Sequence, residues 1–242
     1  MKKAVVFSAG AALVATSATL ADVSGIVGQD TLRYYESDGA TQTDFANAAY
    51  AVLDLYVDFS APNTEGYTNE ESVLLNMFGV NVFSFGFDGM FNQSDVAFAT
   101  MGTWNPSLSI DIPGTSNPTI DSMVTIGGVP GATNGTSLDP GFGDGTPDTI
   151  YLPDIGWYAS PDSGQGNVNE DLQVWIGRFV VTGDQARGGA NFDFFGDIGY
   201  NYGANTGAYF NYDQGGNFTF VPTPGALALL GLSGLCLRRR RA

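Results

Sequence analysis

The stretch from Tyr50 to Phe59 constrains the fold most strongly, because its apolar residues recur at every second position. The apolar and the polar or amphipathic sets are Leu53, Leu55, Val57 and Phe59 against Asp54, Tyr56 and Asp58. A period of two places successive side chains on opposite faces of a strand, whereas a helix requires a period of 3.6. The stretch therefore predicts a half-buried β-strand.

Comparable strand patterns recur along the chain, separated by clusters of Gly, Pro, Asn and Asp. The segments are Val73–Phe87, Ser122–Ile126, Leu172–Thr182, Asn191–Phe195, Ala208–Tyr212 and Asn217–Val221. We expect the first to form a hairpin or two central strands, because polar and glycine residues interrupt its apolar run. Between the two termini no window carries a sustained helical stripe. The sequence thus predicts an all-β fold, a single β-sandwich over residues 22–220, either jelly-roll-like or immunoglobulin-like.

One of these segments makes a prediction about side-chain direction. In Leu172–Thr182, strict alternation assigns Trp175, Phe179 and Val181 to one face of the strand and Arg178 to the other.

The region from Gly127 to Gly166 is rich in Gly, Pro and Asp and has little apolar pattern. We expect a long surface loop here, held to the body by a few apolar residues, with a split into two domains as the alternative. The loop contains Asp139, Asp144 and Asp148. Carboxylates on a flexible loop suit calcium, which accepts irregular oxygen coordination, although the spacing is not that of an EF-hand. The alternative is a solvated acidic loop.

A second candidate site is a group of aromatic residues near the end of the body. It consists of Tyr200, Tyr202, Tyr209 and Tyr212, with Phe210 among them. Exposed aromatic faces next to amide side chains can stack on sugar rings, so the group predicts a glycan site. The alternative is that these rings pack one face of a strand pair.

The chain has no histidine, and its single cysteine is Cys236. These two facts exclude Ser-His-Asp and Cys-His mechanisms, His-ligated zinc and a disulfide within the body. Carboxylate chemistry remains open, and a glycan hydrolase needs two carboxylates at a defined separation. No motif selects such a pair, so we predict a non-enzymatic protein with no cofactor, apart from possible calcium.

The charge of residues 22–224 excludes one class of partner. All 25 acidic residues of the chain lie in this segment, against Arg33, Arg178 and Arg187, which makes its net charge −22. Binding to DNA or RNA requires cations that neutralise phosphates. We therefore predict no nucleic-acid partner.

The N-terminus has the pattern of a signal peptide. Met1-Lys2-Lys3 is basic, Ala4 to Leu20 is apolar and uncharged, and small residues precede a cleavage position after Ala21. We predict a signal helix over residues 1–21 that is removed during export. An uncleaved N-terminal anchor is the alternative.

The C-terminus, residues 221–242, has three parts. Val221-Pro222-Thr223-Pro224 is followed by the uncharged run Gly225–Leu237 and then by four arginines, which are Arg238, Arg239, Arg240 and Arg241. As a helix the apolar run would reach about 20 Å, short of a hydrocarbon core of about 30 Å. Arginine side chains that snorkel to the headgroups extend that reach and favour a cytoplasmic end. We predict a hydrophobic membrane-sorting helix, with a buried C-terminal helix as the alternative.

This order of proline motif, apolar helix and arginine cluster resembles the PEP-CTERM sorting signal of exosortase substrates. Threonine stands at position 223, where the usual Val-Pro-Glu-Pro motif has glutamate. The resemblance implies export, transient anchoring in the inner membrane, and processing by an exosortase-type enzyme before delivery to the cell surface or extracellular matrix. A weaker resemblance, through Val52–Phe59, Asp121–Gly127 and Val174–Phe179, links the body to exported PEP-CTERM proteins of planctomycete-like bacteria.

Together these features predict an exported protein with a structural or adhesive role in an exopolysaccharide-rich envelope. The expected partners are the export machinery and the exosortase-type enzyme, with exopolysaccharide as a further candidate. A carbohydrate- or calcium-binding module is one alternative, and a glycan hydrolase is another.

Overall fold

The structure is a computed structural model of the whole chain. It describes residues 23–63, 66–87, 91–93, 104–105, 108, 117–139, 155–159, 164–203 and 206–222. The predicted signal helix and the predicted C-terminal apolar helix lie outside these ranges, and so do the cleavage position Ala21 and residues Thr223 to Arg241. Within the described ranges, no helix is both long and apolar enough to cross a membrane.

Ten strands form the framework of the described chain. They are β1 (Gly25–Val27), β2 (Arg33–Tyr35), β3 (Tyr50–Asp58), β4 (Val73–Phe85), β5 (Met123–Val124), β6 (Thr136–Leu138), β7 (Ile155–Ala159), β8 (Gln173–Thr182), β9 (Asn191–Asn201) and β10 (Tyr209–Thr219). The described helical elements are the short helix α1 (Gly183–Arg187) and two 3₁₀ turns, at Gln29–Thr31 and Asn69–Glu71. The all-β prediction is confirmed.

The strands form two antiparallel sheets. Sheet A has the order β1-β3-β8-β5, with β2 also paired to β3, and sheet B has the order β10-β9-β4-β7-β6. Both central pairs, β3 with β8 and β4 with β9, join strands that are distant in sequence. Among the described strands, the chain passes from sheet A to sheet B three times, between β3 and β4, between β5 and β6, and between β8 and β9.

The two sheets enclose one hydrophobic core, which gives a β-sandwich-like arrangement. Phe179 of sheet A is fully buried, and its ring centroid lies 5.0 Å from that of Phe192 and 5.9 Å from that of Phe194, both in sheet B. At one end of β3, Phe59 meets Tyr200 edge to face at 5.5 Å. Aromatic side chains therefore join the sheets along the core.

The prediction from the alternating stretch holds in β3, whose odd-numbered apolar residues face the core while Asp54 and Tyr56 face outward. The prediction for Trp175 is wrong. Leu55 pairs with Gly177 but Tyr56 pairs with Trp175, so Ile176 is an extra residue in β8 and forms a β-bulge. The bulge reverses the alternation and places Trp175 on the outer face with Arg178.

The predicted break within Val73–Phe87 does not occur, because β4 is one strand of 13 residues. Its register against β9 shifts between Phe78 and Asn81, where Gly79 has a φ of +57°. Glycine adopts this left-handed conformation without steric cost. The interrupting residues thus form a bulge inside one strand instead of a turn between two.

The last third of the body is also more continuous than predicted. The segments Ala208–Tyr212 and Asn217–Val221 belong to the single strand β10, whose register shifts between Asn211 and Gln214. The segment predicted to end at Phe195 continues to Asn201 as β9. Together β9 and β10 form a long hairpin at the edge of sheet B.

The sequence patterns did not predict α1, which connects the two sheets. A capping box starts it: the backbone N–H of Gln185 donates to Oγ1 of Thr182 at 3.2 Å, and the Thr182 N–H donates back to Oε1 of Gln185 at 2.8 Å. Gly183 permits a close crossing, since a Cβ there would lie 1.8 Å from the carbonyl oxygen of Ala48.

Candidate functional site

The outer face of sheet B carries an extended group of exposed aromatic side chains. In β9 the side chains of Phe192 and Phe194 point into the core. The residues between and after them, Asp193 and Phe195, therefore face outward, since alternate residues of a strand share a face.

We call the exposed rings on this side the aromatic face. They are Phe83 and Phe85 in β4, Tyr158 in β7, Phe195 in β9, and Phe210 and Tyr212 in β10. Each is at least 41% exposed. Of the eight large hydrophobic side chains that are exposed in the described chain, these six share one sheet face. Soluble proteins rarely leave so many large apolar side chains together in water unless the surface binds something.

Ring contacts order one end of the aromatic face. The half-buried ring of Phe78 meets Phe210 edge to face at 5.9 Å and Tyr212 at 6.4 Å. Phe210 and Tyr212 are themselves stacked, with 25° between their planes. The three rings support one another, so the two exposed rings are held in a defined orientation.

Carboxylate and amide groups lie between the rings. The side-chain N–H of Asn217 donates to Oδ1 of Asp193 at 2.8 Å and to Oδ1 of Asn191 at 3.1 Å. Nearby, the backbone N–H of Asp213 donates to Oδ1 of Asp197 at 2.9 Å. These bonds hold the polar groups in place and leave oxygen lone pairs for further donors. Such a surface can stack on an apolar ring face and accept hydrogen bonds from hydroxyls at its edge.

The outer face of sheet A has a different character, with a buried carboxylate between two arginines. Asp54 of β3 is 2% exposed. Its carboxylate accepts hydrogen bonds from Nε and Nη2 of Arg178 at 2.7 Å and 3.0 Å, and a further one from Nη2 of Arg33. All three guanidinium nitrogens of Arg178 make hydrogen bonds, because its Nη1 also donates to the carbonyl oxygen of Pro118 at 2.8 Å.

Burial and charge both act on the groups around Asp54. Burial by itself would lower the pKa of Arg178, but the adjacent charge and hydrogen bonds of Asp54 raise this pKa above its ordinary value. Burial raises the pKa of Tyr56, and the Asp54 charge adds to the effect. Both side chains therefore keep one protonation state throughout the neutral pH range.

Beside this cluster lies a cavity of about 360 Å³, which we call the sheet A pocket. It is lined by Arg33, Asp54, Tyr56, Gly127, Gly128, Val129, Pro130, Asn167, Asn169, Gln173, Val174, Trp175 and Arg178. The guanidinium carbon of Arg178 lies 5.2 Å from the centre of the Trp175 ring, within cation–π range. The pocket therefore combines cationic, amide and aromatic groups.

The predicted tyrosine group is split by the structure. Tyr200 and Tyr202 are buried, and Tyr209 is partly buried and packs against both rings. Tyr200 and Tyr202 are placed as the packing alternative expects, and Tyr209 lies half-buried against them. Tyr212, at 60% exposed, belongs to the aromatic face together with Phe210.

The predicted calcium residues are only partly described. Asp139 is exposed, and its backbone N–H donates to the carbonyl oxygen of Gly156 at 2.9 Å. Asp144 and Asp148 lie outside the described residues. In the part of the chain that the structure describes, no group of three or more His, Cys, Asp or Glu side chains is placed to hold a metal ion. The calcium hypothesis stays a prediction.

The sorting motif is described at its first two residues. Val221 donates its backbone N–H to Oγ1 of Thr219, the last residue of β10, at 3.2 Å, and Pro222 is partly buried beside it. Thr223, Pro224 and the four terminal arginines lie beyond the described residues. The motif therefore begins where the last strand ends.

Sequence reasoning missed most of the aromatic face and the arginine cluster. One available signal was that Phe194 and Phe195 are adjacent, so an aromatic ring must lie on each side of the strand. The other signal was the small number of cationic residues, because Arg33 and Arg178 are two of only three cationic side chains in residues 22–224. The convergence of both on Asp54 depends on strand pairing and is invisible in the sequence.

Comparison with protein-family models, with curated proteins and with solved structures finds no match to this chain.

Proposed function

We propose that this is an exported, non-enzymatic surface protein that adheres to a neutral polysaccharide through the aromatic face of sheet B. The observation that carries the proposal is the concentration of six exposed aromatic rings on one sheet face, with carboxylates and amides between them. Aromatic rings stack on the apolar faces of sugars, while carboxylates and amides bind their hydroxyls.

Charge favours a neutral glycan over the other occupants of such a face. The aromatic face carries Asp193 and Asp197 in a body of net charge −22, which repels anionic lipid and anionic polymers from this face. A second copy of the chain would bring Asp193 and Asp197 of both molecules into one interface, and carboxylates that lose water without cationic partners are costly. A neutral polysaccharide meets neither objection.

Replacing Phe210 and Tyr212 together with alanine tests the aromatic face. Each ring contact contributes about 0.5–1.5 kcal/mol beyond area burial, so the double variant should lose about 1–3 kcal/mol of binding, or about five- to 150-fold in Kd. The measurement is retention of the purified protein by cellulose, insoluble β-glucan and dextran, followed by titration with the best of them.

The matched control is Tyr67→Ala, an exposed aromatic residue outside the aromatic face. It should bind as the unaltered protein does, provided that thermal melting shows both variants folded. The proposal fails if the double variant is retained equally well, or if the unaltered protein binds none of these glycans.

We propose further that residues 1–21 direct export and residues 221–242 direct sorting, through the export machinery and an exosortase-type enzyme. In support, Val221 and Pro222, the first two residues of the motif, lie beyond the end of β10 and are only partly buried. The body contains no cysteine and no histidine, so its folding after export depends on neither disulfides nor His-ligated metals.

Intact-mass measurement of the native protein tests this route. We expect a mass that lacks residues 1–21 and is trimmed near Val221–Pro224. A Pro222→Ala, Pro224→Ala variant should retain its C-terminal segment and stay with the membrane fraction. Recovery of the native product inside the cell with its full 242 residues would exclude the route.

We also propose that the sandwich is immunoglobulin-like rather than jelly-roll-like. In support, the order β1-β3-β8-β5 matches the A-B-E-D order of immunoglobulin domains, and β10-β9-β4 matches G-F-C. Strands β7 and β6 occupy the positions of C′ and C″, although they follow β5 in the chain. The usual inter-sheet disulfide has no counterpart, because the only cysteine is Cys236.

A further inference from the structure

The sheet A pocket is a cationic site in a strongly acidic protein. Two of the three arginines of residues 22–224 line it, against one carboxylate, Asp54, so this cluster has a net charge of +1. The body as a whole has a net charge of −22. Since strand pairing brings the two arginines together from β2 and β8, the positive charge is built by the fold.

The two arginines differ in exposure and in the number of hydrogen-bond donors that are already used. Arg178 uses Nε, Nη1 and Nη2 on Asp54 and on the Pro118 carbonyl, and its side chain is 13% exposed. Arg33 bonds Asp54 through Nη2 alone, and its side chain is 37% exposed. Its Nε is buried without a hydrogen-bond partner among the described residues. Arg33 is therefore the more exposed of the two cations and keeps more of its five N–H donors unused.

The other walls suit a ring of moderate polarity. Tyr56 and Trp175 provide aromatic surface, and Asn167 and Gln173 provide amides. The volume of about 360 Å³ is at the lower end of the range for small-molecule pockets, about 300–1,000 Å³. This is space for one ring.

We propose that the sheet A pocket binds a monocarboxylate carried on a polar ring, with a uronic acid residue as the ligand class. The ligand carboxylate pairs with the Arg33 guanidinium, and Tyr56 and Trp175 border the ring. Guanidinium groups bind carboxylates through charge-assisted hydrogen bonds. A single negative charge matches the local net charge of +1, whereas a phosphate dianion would exceed it and be repelled more strongly by Asp54. This site is independent of the aromatic face and does not depend on the function proposed for it.

Titration of the purified protein with glucuronate, glucose and inorganic phosphate tests the inference. We expect saturable binding of glucuronate, at least about tenfold weaker binding of phosphate, and no binding of glucose at the same concentrations. Arg33→Met should weaken glucuronate at least about tenfold through loss of the charge-assisted bonds. Ligand-observed NMR or calorimetry provides the measurement.

A second variant keeps the test decisive if Arg33→Met fails to fold. Val129 lines the pocket and is 60% exposed, so Val129→Asp adds a negative charge without disturbing the buried cluster. It should also weaken glucuronate about tenfold, whereas Val129→Asn, the uncharged control, should not. The Phe210→Ala, Tyr212→Ala variant should bind glucuronate normally, which separates this site from the aromatic face. Equal binding of phosphate and glucuronate, no binding of glucuronate, or unaltered binding by the Val129→Asp variant would overturn the inference.

Discussion

Replacing Asp54 with asparagine is expected to lower the free energy of unfolding by about 3–5 kcal/mol, because it leaves a buried guanidinium without its counter-ion. Asp54 and Arg178 have side chains that are only 3% and 13% exposed. Most of the loss comes from Arg178, since Arg33 is 37% exposed and water screens its charge. Natural domains have a total stability of about 5–15 kcal/mol, so the variant should be marginally folded.

Urea unfolding measures this loss, and Asp58→Asn is the matched control. Asp58 lies four residues further along β3, and its Oδ1 accepts a hydrogen bond from the Ser60 N–H that an asparagine oxygen can also accept. The control should change stability by less than about 1 kcal/mol. An Asp54→Leu, Arg178→Met double variant should recover part of the loss, because it removes both charges together. If Asp54→Asn unfolds at the same urea concentration as the unaltered protein, the ion pair does not stabilise the fold.

Replacing Phe179 with alanine is expected to cost about 3–5 kcal/mol, the usual range for removing a fully buried phenylalanine. Phe179 is 0% exposed and projects from sheet A between the two sheets. Its ring contacts Phe192 and Phe194 of sheet B, and also Phe91 and Trp104. The substitution therefore opens a cavity where the sheets meet, and neighbouring aromatic rings are too rigid to fill it.

Phe195→Ala is the control for this second prediction, since it removes the same side chain from the opposite environment. Phe195 is 41% exposed on the aromatic face, and we expect a loss of no more than about 1 kcal/mol. Both variants are compared by urea and thermal unfolding. Equal losses at the two positions would mean that Phe179 does not join the sheets as described.

The two outer faces of the sandwich are chemically distinct, and each is proposed to bind a different class of ligand. Sheet B presents aromatic rings with carboxylates and amides, and sheet A presents a cationic pocket. The faces lie on opposite sides of one core, so occupancy of one would not block the other. Under the two proposals, one molecule would therefore bind a neutral glycan and a uronic acid at the same time.

The predictions made from the sequence failed where a bulge intervened. Strict alternation assigned Trp175 to the same face as Phe179 and Val181, but the extra residue Ile176 reverses the order of faces in β8. Gly79 was taken as an interruption and is instead part of a bulge within β4. The glycan prediction at the tyrosines included Tyr200 and Tyr202, which are buried, because the burial of each ring depends on sheet packing rather than on composition.

Local pattern alone determined the fold class and the excluded chemistries. Alternation at period two, as in Tyr50–Phe59, predicts strands because side-chain direction along a strand is a local property of the backbone. The lack of histidine and of cysteine in the body excludes whole classes of site in any fold. Tertiary structure alone decided which of 25 acidic residues is buried between two arginines and which aromatic rings face water. Both depend on the register of strands far apart in sequence, and a single bulge is enough to turn a side chain from one face to the other.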